Sequence, residues 1–533
     1  MKRIDEINVN VEVLEKELTV PKYLTFIDNK EEDFAALIQA WPKIRDGVVE
    51  VLNKEGNPTA GHVTVVTLFR LGFNKPWPGS DPNPRTVYIG LACPGNPMTA
   101  KMCFVNDQLQ ACVGKLGSGF RLEILMEHNV VSHLAAGFAG PDIPPSLSPA
   151  YQFPSGYGRR VKAGADFGPE EGGYAGRNSG FGTLGCWVQI KLKGREEWMT
   201  MGLTCYHAAR SFIPGYKAPT VTTQADGAPG IPLYPELSSE MPCWHADRRY
   251  SFPATILQER WAAVEHPSRM RHQFNINDLG FAITQTRNRG LDTTDRDQEL
   301  AKAKAFFAQK TQIFGDFYLA SGFTQRSAPK GRLDWALIKP RTAERVGGNP
   351  LPSFQEWTAQ GYSRAEMPLI GGPSTTMQPR GDESMHNYVQ DGAIIRDPAE
   401  KLYVFKKGAA SKCTAGELSY IKAAVALGPV NCVFYPKSEE RLSSEFVVGP
   451  IESSQRTKFG FPGDSGSVVF DRVGRVLGLL FSGEVKPYQC DRGLSFVTPI
   501  EDIFKDIVDR SDGNIEGVRL LGEGEDDVVM GSN

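Results

Sequence analysis

Apolar residues recur every three to four positions over 31–53 (EEDFAALIQAWPKIRDGVVEVLN), which predicts a helix with Pro42 as a break or kink near its middle. Runs rich in Val, Thr and aromatics at 62–69 (HVTVVTLF) and 85–92 (RTVYIGLA) predict strands. A helical stretch at 101–113 and a strand at 120–126 complete a small α/β unit. Further along, strand patterns dominate, at 186–192, 198–204, 333–339, 401–405, 430–435, 467–470, 476–481 and 494–497. Short strands separated by turn residues predict barrels or a sandwich. Helical patterns interrupt them near 253–264 and 296–309, and a last helix is predicted at 499–508 with Pro499 opening it.

The composition shifts between these halves. Residues 140–176 form a Pro/Gly-rich stretch that reads as a linker. The expected organisation is an accessory α/β domain over 1–139, a linker over 140–176 and a β-rich domain over 177–510. Insertions are expected at about 213–312 and 341–400, and an acidic disordered tail (GEGEDD) over 511–533.

Bulk composition narrows the function. The 533 residues are 41% hydrophobic, enough for a sizeable core, and Gly 55 with Pro 37 favours turns over long helices. Lys+Arg 59 against Asp+Glu 62 gives a net charge of −3, so no global attraction to nucleic acid or anionic membrane is expected. Nine cysteines, an odd number with no C-x-x-C pair, do not make a disulfide framework. Cys243 and His245 come nearest to paired metal ligands, but no second pair completes four-coordination, and no metal is expected. No run approaches the ~18 apolar residues that span a bilayer, and the start lacks the apolar core of a signal peptide. A soluble, cytoplasmic protein with reduced thiols is expected.

Gly180-Phe-Gly-Thr-Leu-Gly185 matches G-x-G-x-x-G but leads into a strand pattern rather than a helix, so it reads as a glycine-rich strand entry, not a dinucleotide site. Phe461-Pro-Gly-Asp-Ser-Gly-Ser467 is more specific, since G-D-S-G is expected by chance in only about 1% of chains this long. Ser465 needs a base to become a nucleophile, and the flanking glycines permit a tight turn whose N–H groups face an oxyanion. Upstream, Met199-Thr-Met-Gly-Leu-Thr-Cys-Tyr-His207-Ala is an apolar strand running into a histidine, and Arg332-Leu-Asp334-Trp-Ala-Leu-Ile338 is an acid opening an apolar strand.

These three segments, in the order His, Asp, Ser, resemble the chymotrypsin-like (trypsin-like) serine peptidases. Val476-Leu-Gly-Leu-Leu-Phe-Ser-Gly483 resembles the substrate-binding strand after the nucleophile. Arg492-Gly-Leu-Ser-Phe-Val-Thr-Pro499 resembles the closing strand. Phe405-Lys-Lys-Gly-Ala-Ala-Ser-Lys-Cys-Thr-Ala-Gly416 resembles the K-x-G-x-x-T-G-x-T-x-G stretch of intracellular and viral members. The insertion-rich pattern is similar to predicted proteins of filamentous fungi. The resemblance implies a mostly β, chymotrypsin-like double β-barrel with helical insertions, preceded by a small α/β domain.

It further implies a serine endopeptidase acting on protein or peptide substrates through His207, Asp334 and Ser465, with no cofactor. The N–H groups of Gly463 and Ser465 would hold the oxyanion, and Phe481, Ser482 and Gly483 would bind substrate. Phe459 would lie at the base of the side-chain pocket, where no acid awaits a basic residue, so a small or medium apolar side chain is expected there. Ala208 stands where the family's histidine-loop cysteine would be, and no cysteine flanks the serine, as suits a reducing compartment. Secreted members of the family it resembles often mature by a cleavage that frees an apolar N-terminus to pair with the aspartate before the serine; no basic-then-Ile/Val site appears around 173–180, and the resemblance then allows an internal group to hold Asp464 instead. Two alternatives stay open: Asp278, which opens the run Asn277-Asp-Leu-Gly-Phe-Ala-Ile283, in place of the preferred Asp334; and a catalytically silent fold used for binding or signalling. The remaining histidines, His62, His128, His133, His245, His266, His272 and His386, show no paired spacing and read as solvated or satisfied core groups.

Overall fold

A computed structural model describes most of residues 23–530; outside the described residues lie 1–22, 134–156, 170–180, 210–262, 389–400, 427–441, 531–533 and shorter stretches. The N-terminal part contributes strands β1 (Tyr23–Thr25), β2 (Val63–Gly72), β3 (Arg85–Leu91), β4 (Leu122–His128) and β5 (Ser132–His133), with helices Phe34–Asn53 and Ala100–Leu116. Next come β6 (Asp166–Pro169), β7 (Gly182–Thr183), β8 (Cys186–Leu192), β9 (Trp198–Thr204), β10 (Ala263–Glu265), β11 (Ile313–Ala320) and β12 (Ala336–Pro340). Then follow β13 (Tyr403–Gly408), β14 (Lys412–Leu418), β15 (Ala423–Ala426), β16 (Leu442–Pro450), β17 (Val468–Phe470), β18 (Val476–Val485) and β19 (Leu494–Pro499). After the helix Ile500–Asp509 the chain ends in β20 (Ile515–Leu520) and β21 (Val529–Met530).

Two antiparallel arrays result. The first runs β21-β20-β8-β9-β12-β11-β10-β6-β7. The second runs β14-β13-β17-β18-β19-β16 and closes through β14–β16 pairing into a six-stranded barrel. This is the mostly β, double-barrel architecture that the chymotrypsin-like resemblance implies, with the first array left open. From the closed barrel the sheet continues through β15 into β2, β3 and β4, the last pair parallel.

The apolar run HVTVVTLF lacks strand alternation because β2 is covered on both faces, as a fully buried strand must be. Val66 and Leu68 face the cluster of the two N-terminal helices, which bury Leu37, Trp41, Ile44, Val48, Val105 and Leu109. Val65 and Phe69 face the opposite way, into the large cluster that also holds Trp187, Leu203 and Trp335. The C-terminal helix buries Ile503, Phe504, Ile507 and Val508. It also fastens the first array, where Trp335 Nε1 donates to Asp506 at 2.8 Å.

Several expectations are corrected. Part of the expected linker is structural: Val161 and Ala163 are buried, and β6 pairs with β7 and β10. The expected disordered tail begins with β20, whose Ile515, Val518 and Leu520 are buried against β8. The apolar run after Asp278 is not a strand but part of the helix Arg269–Asn288, started by Ser268, whose side chain accepts from the Arg271 N–H. Residues 263 and 264, expected at the end of a helix, belong to β10, while the helix expected near 296–309 is observed as Thr294–Ala308. The expected strand 430–435 and the Cys243/His245 pair lie outside the described residues. Among the described residues no helix is long and apolar enough to cross a membrane.

Candidate active site

Ala336 of β12 is registered against Thr204 of β9. In an antiparallel pair the residues following Thr204 and preceding Ala336 emerge at the same end, which brings His207 and Asp334 together. His207 lies in the one-turn helix Tyr206–Ala209 that β9 runs into. The Asp334 loop is pinned by Ser321, whose N–H donates to the Trp335 carbonyl and whose Oγ accepts from the Trp335 N–H, each at 2.9 Å.

Asp334 takes two hydrogen bonds from His207. Oδ1 accepts from the backbone N–H at 3.0 Å and Oδ2 lies 2.6 Å from Nδ1. Burial pushes the Asp334 carboxyl up, but the charge and hydrogen bonds of His207, with Arg332 nearby, outweigh it and hold the group below its ordinary value. A carboxylate only accepts, so Nδ1 carries the proton, and in a neutral imidazole Nε2 is left as an acceptor. Ser465 Oγ lies 2.7 Å from that nitrogen, against 3.4 Å from the Phe481 carbonyl.

Ser465 sits in a turn ahead of β17. Gly463 and Gly466 on either side have φ of +98° and +91°, the left-handed region that favours glycine. The turn is fastened by Asp464 N–H to Phe461 O, Ser467 N–H to Asp464 O and Gly466 N–H to Leu480 O, each 2.9 Å. Among the described hydrogen bonds the N–H groups of Gly463 and Ser465 donate to no other protein group. The strand entry 181–185 packs on this turn, because a side chain at Gly185 would overlap the Gly466 carbonyl.

Asp278 is exposed on the helix Arg269–Asn288, whereas Asp334 is the carboxylate hydrogen-bonded to His207. Phe459 is fully buried among Val404, Leu418, Phe446 and Leu480 in the closed barrel. Ser482 and Gly483 of β18 are registered against His133 and Ser132 of β5, so the edge expected to take substrate backbone carries the chain's own strand. His207 and Ser465 are correspondingly buried. A cavity of about 530 Å³ lined by Trp198, Met199, Lys339 and Pro340 lies at the opposite ends of β9 and β12, some ~20 Å from His207 by strand length, and is separate from this site.

Cys205, His207 and Asp334 come close enough for a metal. The donors do not suit one: both ring nitrogens of His207 are engaged, and burial with the Asp334 charge raises the Cys205 thiol well above its ordinary value. Of the other histidines, His266 is a buried partner of Asp166, with Nδ1 2.6 Å from that residue's carbonyl oxygen, and His386 pairs with Asp502 at 2.9 Å.

Two groups close to the site were not assigned roles from sequence. Thr183 bridges the two arrays, and Lys406 reaches Asp464, the neighbour of the serine. Lys406 lies inside the K-x-G stretch, so the motif was visible and its structural purpose was not.

A family model described as Peptidase family S64 matches residues 380–512. That segment includes Ser465, its turn and β18, but neither His207 nor Asp334. The closed barrel is thus similar to part of that peptidase family. No curated protein matches. Solved structures that match include one described as "A glutamic acid specific serine protease utilizes a novel histidine triad in substrate binding", with 9% identity, 64% of this chain and 94% of that chain covered, and a TM-score of 0.26.

Proposed function

We propose that this chain is a serine endopeptidase. The observation that carries the reading is the unbroken relay Asp334 Oδ2 to His207 Nδ1 at 2.6 Å and His207 Nε2 to Ser465 Oγ at 2.7 Å. Ser465 Oγ attacks the scissile carbonyl as Nε2 takes its proton, and the imidazolium then protonates the leaving amine. Asp334 holds the tautomer and offsets the imidazolium charge. The Gly463 and Ser465 N–H groups receive the oxyanion. Water then repeats the sequence on the acyl-enzyme. On this reading the protein acts inside the cell on protein or peptide substrates, since the thiols of Cys186, Cys205, Cys413 and Cys490 suit a reducing compartment.

Labelling with a fluorophosphonate tests this. Adduct on Ser465, lost in Ser465→Ala with unchanged folding, supports it; a chain that takes no probe and cleaves no peptide even with β5 displaced overturns it. One observation favours a second reading, a silent fold used for binding: Ser465 is fully buried and the neighbouring edge is paired by β5. Persistent failure of Ser465 to react after β5 is displaced would establish that reading instead.

A further inference from the structure

Next to the nucleophile in the chain lies a buried charge pair that involves neither His207 nor Asp334. Asp464 is fully buried, and so is Lys406, whose Nζ lies 2.8 Å from Asp464 Oδ2. Asp464 Oδ1 accepts from the N–H groups of Ala410 and Ser411, each at 3.0 Å, and Oδ2 also accepts from the Phe461 N–H at 3.0 Å. Lys406 Nζ in turn donates to Ser411 Oγ at 2.7 Å. A buried charge pair is tolerated only when it is so fully satisfied.

We propose, resting on the peptidase reading, that Lys406 is the positioning residue of the oxyanion turn: its ammonium anchors Asp464 and thereby fixes the two N–H groups that flank it. The pair needs no amine from a cleaved chain, so the turn is assembled as the protein folds.

The K-x-G stretch reads as one device for this purpose. Lys406 supplies the cation. Gly408 leaves room for the carboxylate, since a Cβ there would overlap Asp464 Oδ1. Ser411 ties the ammonium and the carboxylate together. Thr414 Oγ1 donates to the Phe459 carbonyl at 2.8 Å, fixing the chain that leads into the turn. Gly416 lets that chain approach, because a Cβ there would lie 2.7 Å from the Phe459 ring. The Lys406 ammonium also faces the Phe459 ring, 5.4 Å from its centre, which gives this buried phenylalanine a place in the same anchor.

The test compares fluorophosphonate labelling and peptide turnover of the full chain with those of Lys406→Met, Lys406→Arg and Gly408→Ala. Loss of an oxyanion donor elsewhere costs on the order of 100- to 1,000-fold. Lys406→Met is therefore expected to slow labelling and kcat about 100-fold with KM changed less than about threefold, and Lys406→Arg to recover part of the rate. Gly408→Ala, which displaces the carboxylate without removing a charge, is expected to fall with Lys406→Met. Should Lys406→Met not fold, Lys406→Met combined with Asp464→Asn removes both charges; it is expected to fold and to remain at least tenfold slow. A folded Lys406→Met, or a folded double variant, with the rate of the unaltered chain overturns the proposal. A chain with Lys406 unaltered that takes no probe even with β5 displaced overturns the peptidase reading and this proposal with it.

Discussion

The hydroxyl of Thr183, in the first array, donates to the carbonyl oxygen of Gly463, in the closed barrel, at 2.8 Å. The same oxygen of Thr183 accepts from the Ala409 N–H at 2.9 Å, and the Thr183 N–H donates to the Ser465 carbonyl at 2.8 Å. Histidine and serine stand on different arrays, so their 2.7 Å approach is only as firm as this seam. Thr183→Val keeps the shape but strands two buried backbone groups, at about 1–3 kcal/mol each. The expected result is a lower melting temperature and a kcat reduced more than KM rises, with Thr183→Ser near the unaltered chain. Equal kinetics for Thr183→Val and the unaltered chain would show that the seam is held elsewhere.

Asp334 and Asp278 separate cleanly by substitution. Asp334→Asn reverses the tautomer preference of His207 and is expected to reduce kcat on the order of 10,000-fold. Asp278→Asn alters an exposed helix position and is expected to leave kcat within about twofold. Steady-state kinetics on one peptide substrate decides between them.

Gly463 is constrained twice over. Its φ is +98°, and a Cβ would lie 2.5 Å from the Phe181 ring. Gly463→Ala is expected to lower fluorophosphonate labelling by about 100-fold or more. Adding Phe181→Leu relieves the contact but not the backbone conformation, so it is expected to restore little. Full rescue would mean that the ring alone sets the constraint.

Lys412, next to the anchor of Asp464, has a left-handed φ of 61° and an amine that burial, with the Arg271 charge, pushes down to about 7. In the unfolded chain it titrates near its ordinary value of 10.5. Between those values the unfolded state binds the extra proton, so this group's cost to stability is full below about pH 7 and fades as pH rises toward 10.5. Lys412→Met is expected to raise the melting temperature at pH 6 and to lose that advantage near pH 10. A pH-independent difference would assign the effect to packing instead.

The strands that carry the site were legible because their local patterns are strong: 186–192 and 198–204 coincide with β8 and β9. The order and spacing of His207, Asp334 and Ser465 also picked out three side chains that the fold does bring together. The choice between the two aspartates was only partly legible, with Asp334 preferred and Asp278 left open. Leu279, Phe281 and Ile283 alternate as a half-buried strand would, yet Phe281 is 67% exposed on a helix. What sets that segment is its Ser268 cap and the neighbouring helix, both remote from the alternation. The stretches around Val161 and Ile515 were hidden for a related reason. Each is a few apolar residues beside Pro/Gly-rich or acidic text, and each is ordered by a partner far along the chain, Val346 and β8 respectively. Lys406 was visible as a motif letter, but a lysine followed by another lysine reads as surface until Asp464 is seen beside it.

The backbone pairing of Ser132–His133 with Ser482–Gly483 has a kinetic corollary. On the proposed peptidase reading, in which substrate backbone pairs along β18, an extended peptide contends with the chain's own two residues for one edge, so the affinity of every such ligand is scaled by the fraction of molecules in which that edge is open. Whatever draws the two residues away is then expected to raise kcat/KM for long substrates by one common factor, regardless of their sequence, through a lower KM.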